Sequence, residues 1–353
     1  MMKTRFAVFA LVFALLILPG CSTNPAPSNS STSQPAATAA ADPLPSWNDG
    51  ATKKAIVDFV KSTTDKGSPN FVPPEDRIAT FDQDGTTWVE QPMYSQFLFV
   101  LDRINELAPQ HPEWKTKMPY KAVLSGDKVA LSKLSIKDLL VLFNASSTGM
   151  TPDEFQGIVR DWMAKAKHPR FDRPYPDMVY QPMLEVMKYL RDNGYRTYIV
   201  TGGGQDFVRA YAQQVYGIPP DQIIGSTVET KFAMGKDGRG TLIKQPKVQL
   251  DDNFSGKAED INLFIGKRAH IAFGNSTGDQ QMLEYTSPAS GVTLGLLVLH
   301  DDATREYAYG PAQGLPDSKV GTFTQALYDE AKARGWIVIS MKNDWKQIFS
   351  WQK

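Results

Sequence analysis

Asp82-Gln83-Asp84-Gly85-Thr86-Thr87 places two carboxylates two residues apart, directly behind a short apolar strand at 77–81. On an extended strand end, residues i and i+2 point the same way. Two like charges so close repel unless a cation lies between them or one is protonated. That pattern suits phosphoryl transfer, with one carboxylate as nucleophile, its neighbour as proton donor and a metal neutralising the phosphate. The same string also occurs as a solvated turn, and the pair alone leaves both readings open. Three further polar groups stand out: Thr201-Gly202-Gly203, Lys257, and Gly274-Asn275-Ser276-Thr277-Gly278-Asp279. Taken by itself, Lys257 is also readable as a surface lysine at a helix start.

The elements that must position these groups alternate between strand-like and helix-like stretches. This predicts an α/β fold, a Rossmann-like, mostly parallel sheet flanked by helices. Strands are expected at 77–81, 195–200, 268–273, 292–299 and 336–341. The polar groups follow the first three, and open α/β sheets bind ligands outside the carboxyl ends of their strands. Between the first two strands the chain reads as helices. Met93, Phe97, Val100, Leu101, Ile104 and Leu107 fall on one helical face, and Thr151-Pro152-Asp153-Glu154 is a capping box. A helix from about Pro182 stops at Asn193-Gly194. The expected organisation is a leader at 1–20, a flexible tether at 21–47, an α/β core at 48–90 and 183–353, and a helical cap at 91–182 inserted after the first strand.

Four motifs in order resemble those of the haloacid-dehalogenase superfamily. Asp82-x-Asp84-Gly85-Thr86 resembles its first motif and Thr201-Gly202-Gly203 its second. Lys257, 18 residues before Asn275, resembles the third, and Gly274-Asn275-Ser276-Thr277-Gly278-Asp279 the fourth. A helical cap between the first and second motifs is similar to the phosphoserine-phosphatase branch. The resemblance implies a phosphatase acting through an aspartyl-phosphate. Asp82 would be the nucleophile and Asp84 the acid–base. Thr201, Gly202 and Lys257 would bind the phosphate. Mg²⁺ would be held by Asp82, the Asp84 carbonyl, Asn275 and, directly or through water, Asp279. Glu90, eight residues beyond Asp82, lies near where that branch places a substrate-contacting glutamate; a surface acid is the other reading. The family usually has Asp where this chain has Asn275, which removes a negative charge from the metal site. A catalytically weak binding protein of the same fold is therefore an alternative. The second aspartate, Asp84, argues against dehalogenase chemistry.

A rival reading comes from Gly274-Asn275-Ser276-Thr277-Gly278, which also fits G-x-S-x-G, the nucleophile elbow of serine esterases. The only histidine after Ser276 is His300, and no acid from a later strand end accompanies it. The four histidines, His111, His168, His270 and His300, have no metal-ligand spacing.

Composition narrows the class further. The chain has 38 basic and 38 acidic residues, and no basic stripe of the kind nucleic-acid binding requires. Lys3 and Arg5 precede an apolar run at 6–18 that is shorter than the roughly 20 residues of a membrane span and has the form of a secretory leader. It closes on Leu18-Pro19-Gly20-Cys21, which resembles the lipobox of bacterial lipoproteins with Cys21 as the lipidated residue. Cys21 is the single cysteine, so no intrachain disulfide forms. Ser22 after it favours, by resemblance, the outer membrane facing the periplasm in a Gram-negative cell. The Ser/Thr/Pro/Ala-rich stretch that follows buries too little apolar surface to order itself. The expected partners are a small phosphomonoester and the membrane at the anchor. Neither substrate nor oligomeric state is legible.

Overall fold

Strand β1 (Ile78–Phe81) is apolar and buried on both faces, as a central parallel strand must be when helices cover each side. The computed structural model describes residues 41–286 and 291–352. The expected leader, most of the tether and Cys21 lie outside them. The sheet has seven strands: β1, β2 (Arg196–Gly204), β3 (Ile223–Met234), β4 (Gly240–Leu250), β5 (Ile271–Gly274), β6 (Leu294–Leu299) and β7 (Ile337–Ser340). Their spatial order is β4-β3-β2-β1-β5-β6-β7. All neighbours are parallel except β3 and β4, which form an antiparallel hairpin.

Alternation along the strands divides the core in two. Phe81, Ile199, Phe273, Leu296 and Ile339 point into one cluster, and Ile78, Val200, Ala272 and Leu297 into the other. Phe81 and Phe273 stack across the β1–β5 pair, ring centroids 4.6 Å apart. This packing holds the ends of β1 and β5 side by side, and the Asp82 amide continues the ladder to the Phe273 carbonyl at 2.9 Å.

Helices fill the chain between β1 and β2. The capping box forms: Thr151 Oγ1 accepts from the Glu154 amide, and Glu154 Oε2 accepts from the Thr151 amide. Behind it Phe155, Val159 and Met163 are buried. In the helix Ser95–Leu107 the buried residues are Phe99, Val100 and Ile104, so the apolar face is rotated from the expected stripe. The expected cap runs to residue 182, but its last α-helix ends at Met163 and only a short 3-10 turn, Tyr175–Met178, follows. Trp88 then bridges to Val179 and Tyr180 to Phe349, tying the returning chain to the core.

Two other features depart from expectation. Asp42 to Trp47 is packed, not tethered: Leu44 and Trp47 are buried, Trp47 Nε1 donates to the Pro182 carbonyl and Ser46 Oγ to Glu185. Residues 223–250 form a long hairpin that joins the cap, with the Lys244 amide donating to Met150 O and the Gly149 amide to Lys244 O. Among the described residues no helix is long and apolar enough to cross a membrane.

Candidate active site

The first, second and fourth polar groups meet at the carboxyl ends of β1, β2 and β5. Asp82 leaves the end of β1 and is 7 % exposed. Gln83 turns back into the core toward Tyr211, so Asp82 and Asp84 share the opposite side and both line one cavity. Gly85 has φ +79°, and a Cβ there would lie 2.0 Å from Asn275 Nδ2. The turn therefore demands glycine on two grounds.

Lys257 comes from the first turn of the helix Ser255–Ile265 and is buried. Its ammonium donates to Asp82 Oδ1 at 2.6 Å and to the Val200 carbonyl at 2.8 Å, and it pairs with Asp279 Oδ1 at 2.8 Å. Burial pulls that ammonium down, but the charges of Asp279 and Asp82 outweigh it and keep Lys257 protonated. Burial raises Asp82 to about 7, with the Asp279 charge adding and Lys257 opposing. Burial also raises Asp84 to about 6 against the hydrogen bond from Trp88 Nε1, 2.7 Å from Asp84 Oδ1. Both carboxyls are crowded by negative charge that one lysine does not balance.

Thr201 sits within β2, which runs through Gly204 with an irregularity after Thr201 in place of the expected turn. Thr201 Oγ1 accepts from the Gly203 amide at 3.0 Å, leaving its own proton free to donate. The Gly202 backbone lies so close to Asn253 that a Cβ would be 2.1 Å from its Oδ1. The helix behind, Gln205–Arg209, has five residues, and the Gly204 amide is already held by Gln96 Oε1. A helix this short adds little dipole at Gly202.

Asn275 Nδ2 donates to Glu90 Oε1 at 2.7 Å, which fixes the amide so that Oδ1 faces inward. Thr86 Oγ1 lies 3.2 Å from both Asn275 Oδ1 and Asp82 Oδ2, so these two oxygens converge. A carboxylate and an amide oxygen converging in a site with surplus negative charge fit a hard cation such as Mg²⁺. Among the described residues no group of three or more His, Cys, Asp or Glu is arranged as a metal cluster. The donor set therefore depends on Asn275 and backbone. Asp279 does not stand free as a ligand: Oδ1 meets Lys257, and Oδ2 accepts from the Asn275 and Ser276 amides. It holds the loop that presents Asn275.

Glu90 is buried, and its Oε1 also accepts from Tyr309 OH at 2.7 Å. It serves Asn275 more directly than a surface acid would, and it also lines the cavity. The elbow reading does not survive the geometry. Ser276 Oγ accepts from the Gly278 amide as a cap, while His300 Nε2 donates to the Gly85 carbonyl and Nδ1 contacts Glu306. His300 is thus committed elsewhere, and the acceptor beside the serine hydroxyl is Asp279 Oδ2 at 3.3 Å, itself held by the Asn275 and Ser276 amides. Trp88, Thr86, Tyr309 and the His300–Glu306 pair were not read from the sequence. Thr86 alone carried a local signal, inside the first motif.

A family model for haloacid dehalogenase-like hydrolases matches residues 79–284. The chain belongs to that family. Among solved structures, a protein of unknown function from Bordetella pertussis Tohama I resembles this chain at 18 % identity, covering 74 % of this chain and 97 % of that one, with a TM-score of 0.45. A phosphoserine phosphohydrolase-like protein from Francisella tularensis subsp. tularensis SCHU S4 is similar at 17 % identity over 64 % of this chain and 88 % of its own, TM-score 0.35. A phosphoserine phosphatase from T. onnurineus is similar at 17 % identity, 66 % and 88 % coverage, TM-score 0.30. No curated protein matches the chain significantly.

Proposed function

We propose that this hydrolase is a Mg²⁺-dependent phosphomonoester phosphatase acting through an aspartyl-phosphate on Asp82. The observation that carries the reading is the buried Asp82 carboxylate held 2.6 Å from Lys257 at the meeting point of three strand ends. A nucleophile so placed has its charge partly offset and its direction fixed.

An Asp82 oxygen attacks phosphorus while the P–O bond to the alcohol breaks, and Asp84 gives its proton to the departing oxygen. Asp84 then takes a proton from a water that attacks the phosphoryl group, which releases phosphate and restores Asp82. Thr201, the Gly202 amide and Lys257 hold the phosphoryl oxygens through both steps. Asp82, the Asp84 carbonyl and Asn275 would hold Mg²⁺, which neutralises phosphate charge when bound. Asp279 acts by positioning Asn275 and Lys257.

The leader and Cys21 place this activity, as a proposal, on a lipid-anchored protein of the cell envelope, at the periplasmic face of the outer membrane in a Gram-negative cell. A small extracytoplasmic organophosphate is then the substrate. The deciding experiment is Asp82→Asn: turnover and the hydroxylamine-labile phosphoryl adduct should both vanish. Near-normal phosphatase activity in that variant would sink the mechanism.

A further inference from the structure

The cavity in front of Asp82 and Asp84 has a volume of about 520 Å³. That is well inside the roughly 300–1,000 Å³ of sites that enclose whole organic ligands, and a phosphoryl group fills a small part of it. Away from the phosphate end its walls are mostly apolar, with a few polar side chains such as Gln96 and Thr227 among them. Phe97 and Val100 come from the first cap helix, Leu140 and Phe143 from the helix Ile136–Ser147, and Val228 and Val248 from the β3–β4 hairpin. Leu140 and Val248 are 39 % and 45 % exposed, leaving apolar surface for a ligand to cover.

Each charged group of the cavity already has a hydrogen-bond or ion-pair partner. Lys257 is the one cation among the described lining residues, and Asp82, Asp279 and the Val200 carbonyl engage it. Glu90 is held by Asn275 and Tyr309, Asp84 by Trp88, and Asp251 by Asn253. An alcohol carrying a carboxylate or a second phosphate would be desolvated with no counter-charge, which is costly. A polyol would find few polar partners on these walls and leave most of its hydroxyls unpaired. An apolar alcohol loses nothing on entry and covers exposed leucine and valine.

Resting on the phosphatase reading, we infer that the substrate is a phosphomonoester of an uncharged, largely apolar alcohol, an aryl or medium-chain alkyl group. The hairpin and the cap together form its binding wall.

The test measures kcat/KM of the full chain with acetyl phosphate, then ethyl, butyl, hexyl and octyl phosphate, phenyl phosphate, O-phosphoserine and glucose 6-phosphate. Each added methylene buried should raise kcat/KM by up to about fourfold until the cavity is full. Hexyl and phenyl phosphate should exceed phosphoserine and glucose 6-phosphate at least about tenfold. Leu140→Asn and Val248→Asn should each flatten the chain-length series, chiefly through KM. A flat series, a preference for phosphoserine or glucose 6-phosphate, or a series undiminished in both variants overturns the inference. If acetyl phosphate is still hydrolysed in an Asp82-dependent way in those cases, the phosphatase reading stands. No turnover of acetyl phosphate or any ester overturns both.

Discussion

Glu90 Oε1 and Asn275 Nδ2 are 2.7 Å apart in a site where both side chains are buried. The neutral amide at 275 thus stands beside a carboxylate supplied from elsewhere. Glu90 orients the amide oxygen toward Asp82.

This pairing makes a specific prediction about a charge swap. Asn275→Asp alone removes the donor to Glu90 and sets two carboxylates together, so it should destabilise by about 1–3 kcal/mol. Combining it with Glu90→Gln restores a donor–acceptor pair and should recover most of that loss, a coupling visible in a double-mutant cycle. The swap also turns a carboxylate directly on the cation, so half-maximal rate should need less Mg²⁺ than in the wild type. Thermal midpoints and a Mg²⁺ titration of initial rate check both parts. An identical metal requirement in wild type and swap would mean that Asn275 is not a ligand.

Asp84 and Ser276 separate the catalytic readings. Asp84→Asn should slow turnover by about 10²–10⁴-fold, the usual range for lost acid–base help. Ser276→Ala removes a cap at the start of the 277–279 turn and should cost about 1 kcal/mol of stability while leaving a working phosphatase. Loss of all activity in Ser276→Ala, with Asp84→Asn near normal, would revive the esterase reading.

Asp252 predicts how stability depends on pH. It is buried, and among the described residues no donor reaches its side-chain oxygens, which share a hydrogen bond with the Asp260 carboxyl only when one of the pair is protonated. Burial raises its carboxyl to about 8, with Lys257 opposing and Asp260 adding to the rise. Between the unfolded value near 3.8 and about 8, the folded chain holds a proton that the unfolded chain has released. Its contribution to stability is therefore complete below about 3.8 and is lost as pH rises to about 8. The slope from this group is at most about 1.4 kcal/mol per pH unit. Urea midpoints at several pH values should fall less steeply for Asp252→Asn than for the wild type. Parallel curves would show that Asp252 ionises normally in the fold.

Cys21 carries the localisation proposal. The full chain expressed in a bacterium with lipoprotein processing should sediment with membranes, and Cys21→Ala should appear in the soluble fraction or as unprocessed precursor. Wild-type protein found wholly in the cytosol would contradict it.

The sequence alone determined the chemistry-bearing groups and the parallel sheet, because both are written locally. A buried parallel strand is a mostly apolar run, as at Ile78–Phe81 and Ile271–Gly274, and polar groups presented at its carboxyl end must follow immediately, as Asp82 and Asn275 do. The Thr151–Glu154 cap was legible for the same reason, since its partners lie within one turn. Tertiary structure decided what depends on distant partners. The hairpin at 223–250 alternates weakly, and its main signal was the Asp237-Gly238 turn. Phe97 falls on one apolar helical face, and helical spacing cannot distinguish a face packed on protein from one left bordering a cavity. Asp42 to Trp47 read as tether because its order comes from Pro182 and Glu185, more than 130 residues away. Glu90 carried two readings, substrate contact and surface acid, and neither included its bond to Asn275, 185 residues along the chain. A hydrogen bond between such residues leaves no periodicity and no spacing in the sequence, since its geometry exists only once the strand ends have met.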